Sequence, residues 1–195
     1  MERLIIGLVG PIASGKGFLA SHLQELGFFY TSLSDRVRDE ARSKNIELTR
    51  ENLQNIGNNL RETYGSQILA ERTALLLSSS DKTIVIDSIR NPAEIEYLRK
   101  VLNIKILGIT APEATRLEWY MARAKERNED GATAVDFQKS NERDLGGGEN
   151  NSGQQVKKCL EIADYIIENY GSKEQLIEVC NLILDQECHF NFEGN

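Results

Sequence analysis

The run Gly10-Pro11-Ile12-Ala13-Ser14-Gly15-Lys16-Gly17 has the spacing G-x-x-x-x-G-K directly after an apolar stretch. Glycines at these positions let successive backbone N–H groups turn inward as a concave anion site. A helix opening near Gly15 would add the positive end of its dipole. Lys16 then supplies a full charge suited to the β- and γ-phosphates of a nucleotide. The residues from Gly10 to Phe18 are therefore the candidates to hold a phosphate chain. The position after Lys16 is usually Ser or Thr, whose hydroxyl holds magnesium. Here it is Gly17, which leaves two options: magnesium is held through water by Asp87, or catalysis is weakened. Ser14 and Ser34 are possible substitutes for the missing hydroxyl. Asp87 ends the apolar run Thr83-Ile84-Val85-Ile86, a placement from which a carboxylate can orient a hydrated magnesium ion. Arg90 leaves the same run three residues later and can reach phosphate; the competing reading is a surface pair with Glu94. Arg116, Arg123 and Arg127 are seven and four residues apart, so on a helix they share a face. Arg143 is a further candidate, with local ion pairing as its alternative.

These residues need elements to position them. Leu4–Val9 reads as a strand buried on both faces. Phe18, Leu19, His22, Leu23 and Leu26 follow at helical spacing, and Gly27 stops that helix. Phe28–Thr31 is a second strand. Residues 35–61 carry one polar helical pattern, and a further helix carries Ile68 to Leu77. Thr83–Asp87 is the third strand, and Asn91-Pro92-Ala93-Glu94 is a helix start with proline at the first helical position. Ile104–Ile109 is the fourth strand and Tyr165–Ile167 the fifth. Ser152–Gln155 and Ser172–Gln175 have the form of capping boxes. Strands separated by helices imply a parallel sheet covered on both faces, with ligands at the carboxyl ends of the strands.

The chain has 195 residues, 40% of them hydrophobic and 27% charged, which is ordinary globular usage. Its 23 Lys and Arg stand against 30 Asp and Glu, a net charge of −7. Nucleic-acid and anionic-membrane binders are usually basic, so neither partner is expected. An anionic ligand must instead meet a local basic cluster. Cys159, Cys180 and Cys188 with His22 and His189 form no zinc or disulfide pattern. No apolar stretch reaches the roughly 20 residues of a membrane span, and no cleavage signal is visible, so a cytoplasmic protein is expected.

Taken together, these motifs resemble the P-loop nucleotide kinases over most of the chain, from Leu4 to about Val179. The likeness is closest to dephospho-CoA-kinase-like and adenylate-kinase-like ATPases of archaeal type. It rests on the phosphate loop and on Leu48-Thr49-Arg50-Glu51-Asn52-Leu53, Val85-Ile86-Asp87-Ser88-Ile89-Arg90 and Phe137…Glu142-Arg143-Asp144. The resemblance implies an α/β/α three-layer sandwich with a five-stranded parallel sheet in the order 2-3-1-4-5. It implies one kinase domain over residues 1–186, with an acceptor-binding segment at about 34–80, a lid at about 113–148 and a loose tail at 187–195. Ser32-Leu33-Ser34-Asp35-Arg36-Val37-Arg38 is similar to the adenylate-kinase segment S-T-G-D-x-x-R. This makes Ser34, Asp35 and Arg38, with Arg90, the implied contacts of the acceptor. A kinase lid brings arginines onto the transferring group, which selects Arg116 and Arg123. Ala163-Asp164-Tyr165-Ile166-Ile167-Glu168-Asn169-Tyr170-Gly171 is similar to dephospho-CoA kinases, where the run lies beside the adenine, so Asn169 and Gly171 join the donor site.

The implied activity is transfer of the γ-phosphoryl of ATP, with Mg2+, to a nucleotide-like small molecule. Two departures bear on it. Adenylate kinases read G-K-G-T at the loop, and here Phe18 stands in place of the threonine. Dephospho-CoA kinases carry D-A-D after the second strand, and here Ser32-Leu33-Ser34 offers no carboxylate. A hydroxyl acceptor benefits from a general base and a monophosphate does not. The acceptor is therefore read as a nucleoside monophosphate, although Asp35 could act as a displaced base. The alternatives are a dephospho-CoA-type kinase and a nucleotide-binding regulatory protein with weak ATPase activity.

Overall fold

Strand β1 (Ile5–Val9) is buried at all five positions, as the central strand of a covered parallel sheet must be. The side chains of Ile5 and Val9 enter one core and those of Ile6 and Leu8 the other. This period of two already defines three layers. The computed structural model describes residues 4–77, 82–126, 133–148 and 150–188. Arg127, aligned in sequence with Arg116 and Arg123, lies outside them.

The chain continues through α1 (Lys16–Glu25), β2 (Phe29–Ser32), α2 (Leu33–Ser43), α3 (Arg50–Tyr64), α4 (Ile68–Leu77) and β3 (Ile84–Asp87). It then forms α5 (Pro92–Leu102), β4 (Lys105–Thr110), α6 (Glu113–Glu126), α7 (Ala134–Leu145), α8 (Val156–Glu161), β5 (Tyr165–Glu168) and α9 (Lys173–Cys188). All pairings are parallel, and the strand order is β2-β3-β1-β4-β5. One face packs against α1 and α9 through Leu19, Leu23, Leu176 and Ile183. The other packs against α2 to α5 and α8 through Leu33, Leu60, Leu69, Ile95 and Val156. Parallel pairing brings the carboxyl ends of all five strands to one edge. The register sets Ser32 beside Asp87 there.

Three local expectations are corrected. The helical pattern of residues 35–61 is two helices. Asn45 takes a left-handed backbone (φ 54) after α2, and Thr49 caps α3 by accepting the Asn52 N–H at 3.2 Å. Ser152–Gln155 is not a capping box. Gln155 precedes α8 without a side-chain cap, and its backbone N–H goes to the Arg90 carbonyl at 2.7 Å. Glu187, read as the start of the tail, belongs to α9 and accepts from Tyr165 Oη (2.5 Å) and Lys105 Nζ (3.1 Å). Residues 189–195 lie outside the described ones. No described helix is long and apolar enough to cross a membrane.

Candidate active site

The loop between β1 and α1 is shaped by exclusion. A Cβ on Gly10 would stand 2.3 Å from the Ile109 carbonyl oxygen. Gly15 has φ +102, and a Cβ there would stand 2.4 Å from Asn169 Nδ2. Ala13 also adopts a left-handed backbone, with φ 60, the kind of local strain that clusters at binding sites. The loop carbonyls are turned outward and held. Ile12 O accepts from Arg116 Nη1 (3.1 Å) and Ser14 O from Asn169 Nδ2 (3.0 Å). Pro11 O accepts from Ser14 N (3.3 Å) and, with Gly10 O, from Lys16 Nζ (3.0 and 2.5 Å). No side chain caps α1 at Gly15, so its first amides stay available to an anion. Burial pushes the Lys16 ammonium down to about 8, against the opposing pull of Asp87.

Over this loop lies a cleft of about 760 Å³. Its wall includes Arg38, Arg50, Asp87, Ser88, Arg90 and Asp144, and also Phe18, Trp119, Asn169, Gly171, Lys173 and Leu176. Arg123 also lines it, with its guanidinium 6.0 Å from the Tyr120 ring centroid. A second cavity of about 300 Å³ shares Arg38, Arg50, Ser88 and Arg90 with the first. Its remaining wall is Ser34, Val37, Leu48, Leu53, Gln54, Gly57, Arg61, Leu69 and Gln154. Among the described residues no carboxylate lines this second space. Arg61 is spent on Glu94, while Arg38, Arg50 and Arg90 pair with acids that stand outside this wall, Asp35 and Asp144, and line the space themselves, which suits an anionic occupant.

Asp87 sits at the end of β3, where Ser88 (φ 63) turns the chain and donates its N–H to Asp87 Oδ1 at 2.6 Å. Tyr30 Oη donates to Oδ2 at 3.3 Å, and its own ionisation is pushed up to about 12 by burial and then by Asp87. Among the described residues, Asp87 is the cleft carboxylate that is in no ion pair. No cluster of three or more His, Cys, Asp or Glu suited to a metal occurs among them. Magnesium is commonly held by one or two carboxylates, several waters and substrate phosphates, and Asp87 beside the loop fits that donor set. The Ser14 hydroxyl is buried under the loop without a partner, and the Ser34 hydroxyl is bonded to Ser32 Oγ (2.8 Å) and Arg38 (2.6 Å). The Ser34 hydroxyl is thus spent on protein partners, while Ser14, which lines the cleft, has its hydroxyl unclaimed among the described residues.

Asp35 is the acid of a capping box at the start of α2 and accepts from Ser32 N (3.2 Å) and Arg38 Nη1 (3.1 Å). Its two oxygens are thus occupied, which disfavours a displaced base. Arg90 does not pair with Glu94 through its side chain. Glu94 instead accepts the Arg90 backbone N–H (2.8 Å) and forms a buried pair with Arg61 (2.8 Å). The Arg90 guanidinium reaches Asp144 and Gln154 (2.9 Å).

Arg116, read as a charge-neutralising arginine, departs from that expectation. It is 4% exposed and does not line the cleft. Its donors go to Ala111 O, Ile12 O and Asn141 Oδ1, and it stands over the Phe137 ring. The lone apolar ring and three oxygens draw it inward, so it braces the phosphate loop from behind. Arg143 joins α7 to α3 through Gln54 and Asn55. Asn169 donates one N–H to the loop and accepts the Gly171 N–H (3.1 Å), so its amide is held in place beside the phosphate loop.

Sequence reading missed Arg50, Asp144, Gln154, Trp119 and Lys173 as wall residues. A signal existed for two of them. Arg50 opens α3 and Asp144 closes α7, each at the helix end whose dipole disfavours its charge. Charges placed against the dipole, 94 residues apart, mark the ion pair that joins them at 3.8 Å.

Comparison with known proteins follows from this geometry. A family model described as AAA domain matches residues 6–157. A UPF0200 protein of Hyperthermus butylicus is 35% identical over 175 residues, 89% of each chain. Among solved structures, TT1252 from Thermus thermophilus has a TM-score of 0.62 at 19% identity, covering 95% of this chain and 98% of that one. Shikimate kinase from Acinetobacter baumannii, in complex with shikimate, has a TM-score of 0.56 at 17% identity over 96% of each chain. At such identities these structures show the fold: a P-loop kinase-like α/β/α sandwich.

Proposed function

We propose that this chain, which belongs to the AAA-domain family and to the UPF0200 proteins, is an ATP-dependent phosphotransferase acting on a nucleoside monophosphate. The observation that carries the reading is the second cavity. It is lined by arginines, has no carboxylate among its described walls, and shares Arg38, Arg50, Ser88 and Arg90 with the phosphate-loop cleft. A hydroxyl acceptor would call for a free carboxylate in that space. A monophosphate needs only cations to hold it and aim its oxygen.

Lys16 and the amides of the loop hold the donor phosphates. Arg38 and Arg90, with Arg50, hold the acceptor phosphate at the junction of the two spaces. Arg123 faces the transferring group, and Arg116 keeps the loop in shape. Asp87 would hold magnesium through water, and the ion, when bound, neutralises charge on the β- and γ-phosphates. Residues 34–80 form the acceptor segment, residues 113–148 the lid, and one kinase domain runs through the end of α9 at Cys188. In a molecule of net charge −7, this cation-lined junction gathers the field that draws both anions together.

The test is a phosphotransfer assay with ATP and magnesium against AMP, GMP, CMP, UMP and dephospho-CoA. Transfer to a monophosphate supports the reading. Transfer to dephospho-CoA alone replaces it with ribose-hydroxyl chemistry. Tight ATP binding without transfer to any of them identifies a nucleotide-binding regulatory protein, the reading that Gly17 and Phe18 would favour.

A further inference from the structure

Asp144 is 1% exposed and lies in the last turn of α7, where the helix dipole disfavours a carboxylate. Burying a charge at such a place is expensive unless it is paired. It is paired, with Arg90 through Nη1 and with Arg50 at 3.8 Å. Gln154 Oε1 accepts from the same Arg90 Nη1 at 2.9 Å. The Arg90 backbone is fixed as well, its N–H on Glu94 and its carbonyl on the Gln155 N–H. Among the described residues no partner takes Nε or Nη2. One corner of the guanidinium is therefore tied down, and the edge that can fork onto phosphate oxygens is left unclaimed.

Arg38 repeats the pattern with different residues. Its Nη1 is tied by the carboxylate of Asp35 at 3.1 Å and by a neutral oxygen, Ser34 Oγ, at 2.6 Å. Both arginines line both cavities. Two guanidiniums, each tethered by one acid and one neutral oxygen at the same nitrogen, face one junction. In addition, α7 carries Asn141, which accepts from Arg116, the residue that braces the Ile12 carbonyl of the phosphate loop.

We propose that Asp144 is a positioning residue: with Gln154 it anchors Nη1 of Arg90 so that the Nε–Nη2 edge is presented to the acceptor phosphate. This rests on the reading of the second cavity as a monophosphate site. It makes Asp144 a tether of arginines, its Oδ1 taking both Arg90 and Arg50, and not a competitor for the acceptor.

The experiment is calorimetric titration of AMP, GMP, CMP and UMP into protein saturated with magnesium and the non-hydrolysable analogue AMP-PNP. The chains compared are wild type, Asp144→Asn, Arg90→Ala and the double variant. Affinity for the tightest monophosphate should fall about tenfold in Asp144→Asn, while AMP-PNP affinity stays within about twofold. In the Arg90→Ala background Asp144→Asn should cost clearly less than it does in wild type, the remainder being what runs through Arg50, its other partner. Unchanged or tighter monophosphate binding in Asp144→Asn overturns the proposal, as does a full additional loss in the double variant. If Asp144→Asn does not fold, Gln154→Leu removes the neutral tether and must weaken the same monophosphate without touching AMP-PNP. Monophosphate binding by wild type that neither tether variant alters refutes the positioning role alone. Binding of AMP-PNP but of no monophosphate by wild type refutes the acceptor reading and this inference with it.

Discussion

Replacing Lys16 with Met should make the protein more stable while destroying its affinity for ATP. In the free protein the ammonium is pushed from 10.5 to about 8 by burial, so at neutral pH the fold holds a charge it disfavours. That drop sets a ceiling of about 3 kcal/mol. The side chain is only partly buried, and solvent screening removes roughly half of this. The lysine also donates to Gly10 O and Pro11 O. Pro11 O keeps its bond from the Ser14 N–H, and water in the cleft can reach Gly10 O. The net expectation is about 1 kcal/mol of added stability, or roughly 2–4 °C in Tm for a domain of this size. Met retains the length of the stem, so packing is conserved. The pH dependence is a sharper check. A lysine whose folded value lies below its unfolded value of about 10.4 destabilises fully below pH 8, and the deficit fades as pH rises from 8 towards 10.4. The Tm gap between variant and wild type should thus be constant up to about pH 7 and close by about pH 10. Thermal scans at several pH values measure it, with ATP calorimetry alongside. A lower Tm in the variant at pH 7, or a gap that persists unchanged to pH 10, refutes the desolvation argument. Wild-type ATP affinity in the variant refutes the assignment of Lys16 to the donor phosphates.

Three other outcomes are expected. Asp87→Asn should lower turnover by about a hundredfold or more with ATP affinity within about fivefold, since a carboxylate that orients magnesium acts mainly on transition-state charge; steady-state kinetics at saturating magnesium check this, and wild-type turnover would place the metal elsewhere. Arg116→Ala should cost about 2–4 kcal/mol of stability in denaturant titration and weaken ATP binding, because it strips the Ile12 carbonyl and Asn141 of a buried donor. Arg38→Lys keeps the charge but loses the fork, so the acceptor KM should rise about ten- to a hundredfold with ATP affinity unmoved; a change within about twofold would reduce Arg38 to a solvated surface residue.

The sheet was legible because its information is local. Five apolar runs separated by amphipathic stretches announce five parallel strands, while the order 2-3-1-4-5 is what the resemblance to P-loop kinases implies and the observed pairings match. The helix boundaries were less so. Residues 35–61 keep one period across two helices, and only the left-handed Asn45 and the Thr49 cap break it. Asn in a polar helical run is too common to announce such a break. The same limit explains Ser152–Gln155: the letters fit a capping box, yet the Gln155 N–H is drawn to the Arg90 carbonyl 65 residues away.

The site divides along the same line, and its arginines show why. Arg61 and Arg116 resemble the others in sequence, but in the fold they spend their guanidiniums on protein oxygens: Arg61 commits Nε and Nη2 to Glu94, and Arg116 commits Nε and Nη1 to two carbonyls and Asn141. Both are at most 4% exposed. Arg38 and Arg90 are tied at Nη1 alone. An arginine bonded inside the protein at Nε and at one Nη has no pair of neighbouring N–H donors left to fork onto phosphate; one tethered at Nη1 keeps the Nε–Nη2 pair and has little freedom to misplace it. The Nε partner of Arg116, Ala111 O, is five residues away, but its Nη1 partners lie 25 and 104 residues away, and those of Arg90 54 and 64 away, beyond any periodicity a sequence can display. The distinction reverses the expected ranking, in which Arg116 stood with Arg123 as a lid cation on the transferring group. Restoring that ranking would require Arg116→Lys to lower turnover while leaving stability and ATP affinity intact. The bonds at Ala111, Ile12 and Asn141 predict the opposite, a loss of stability first.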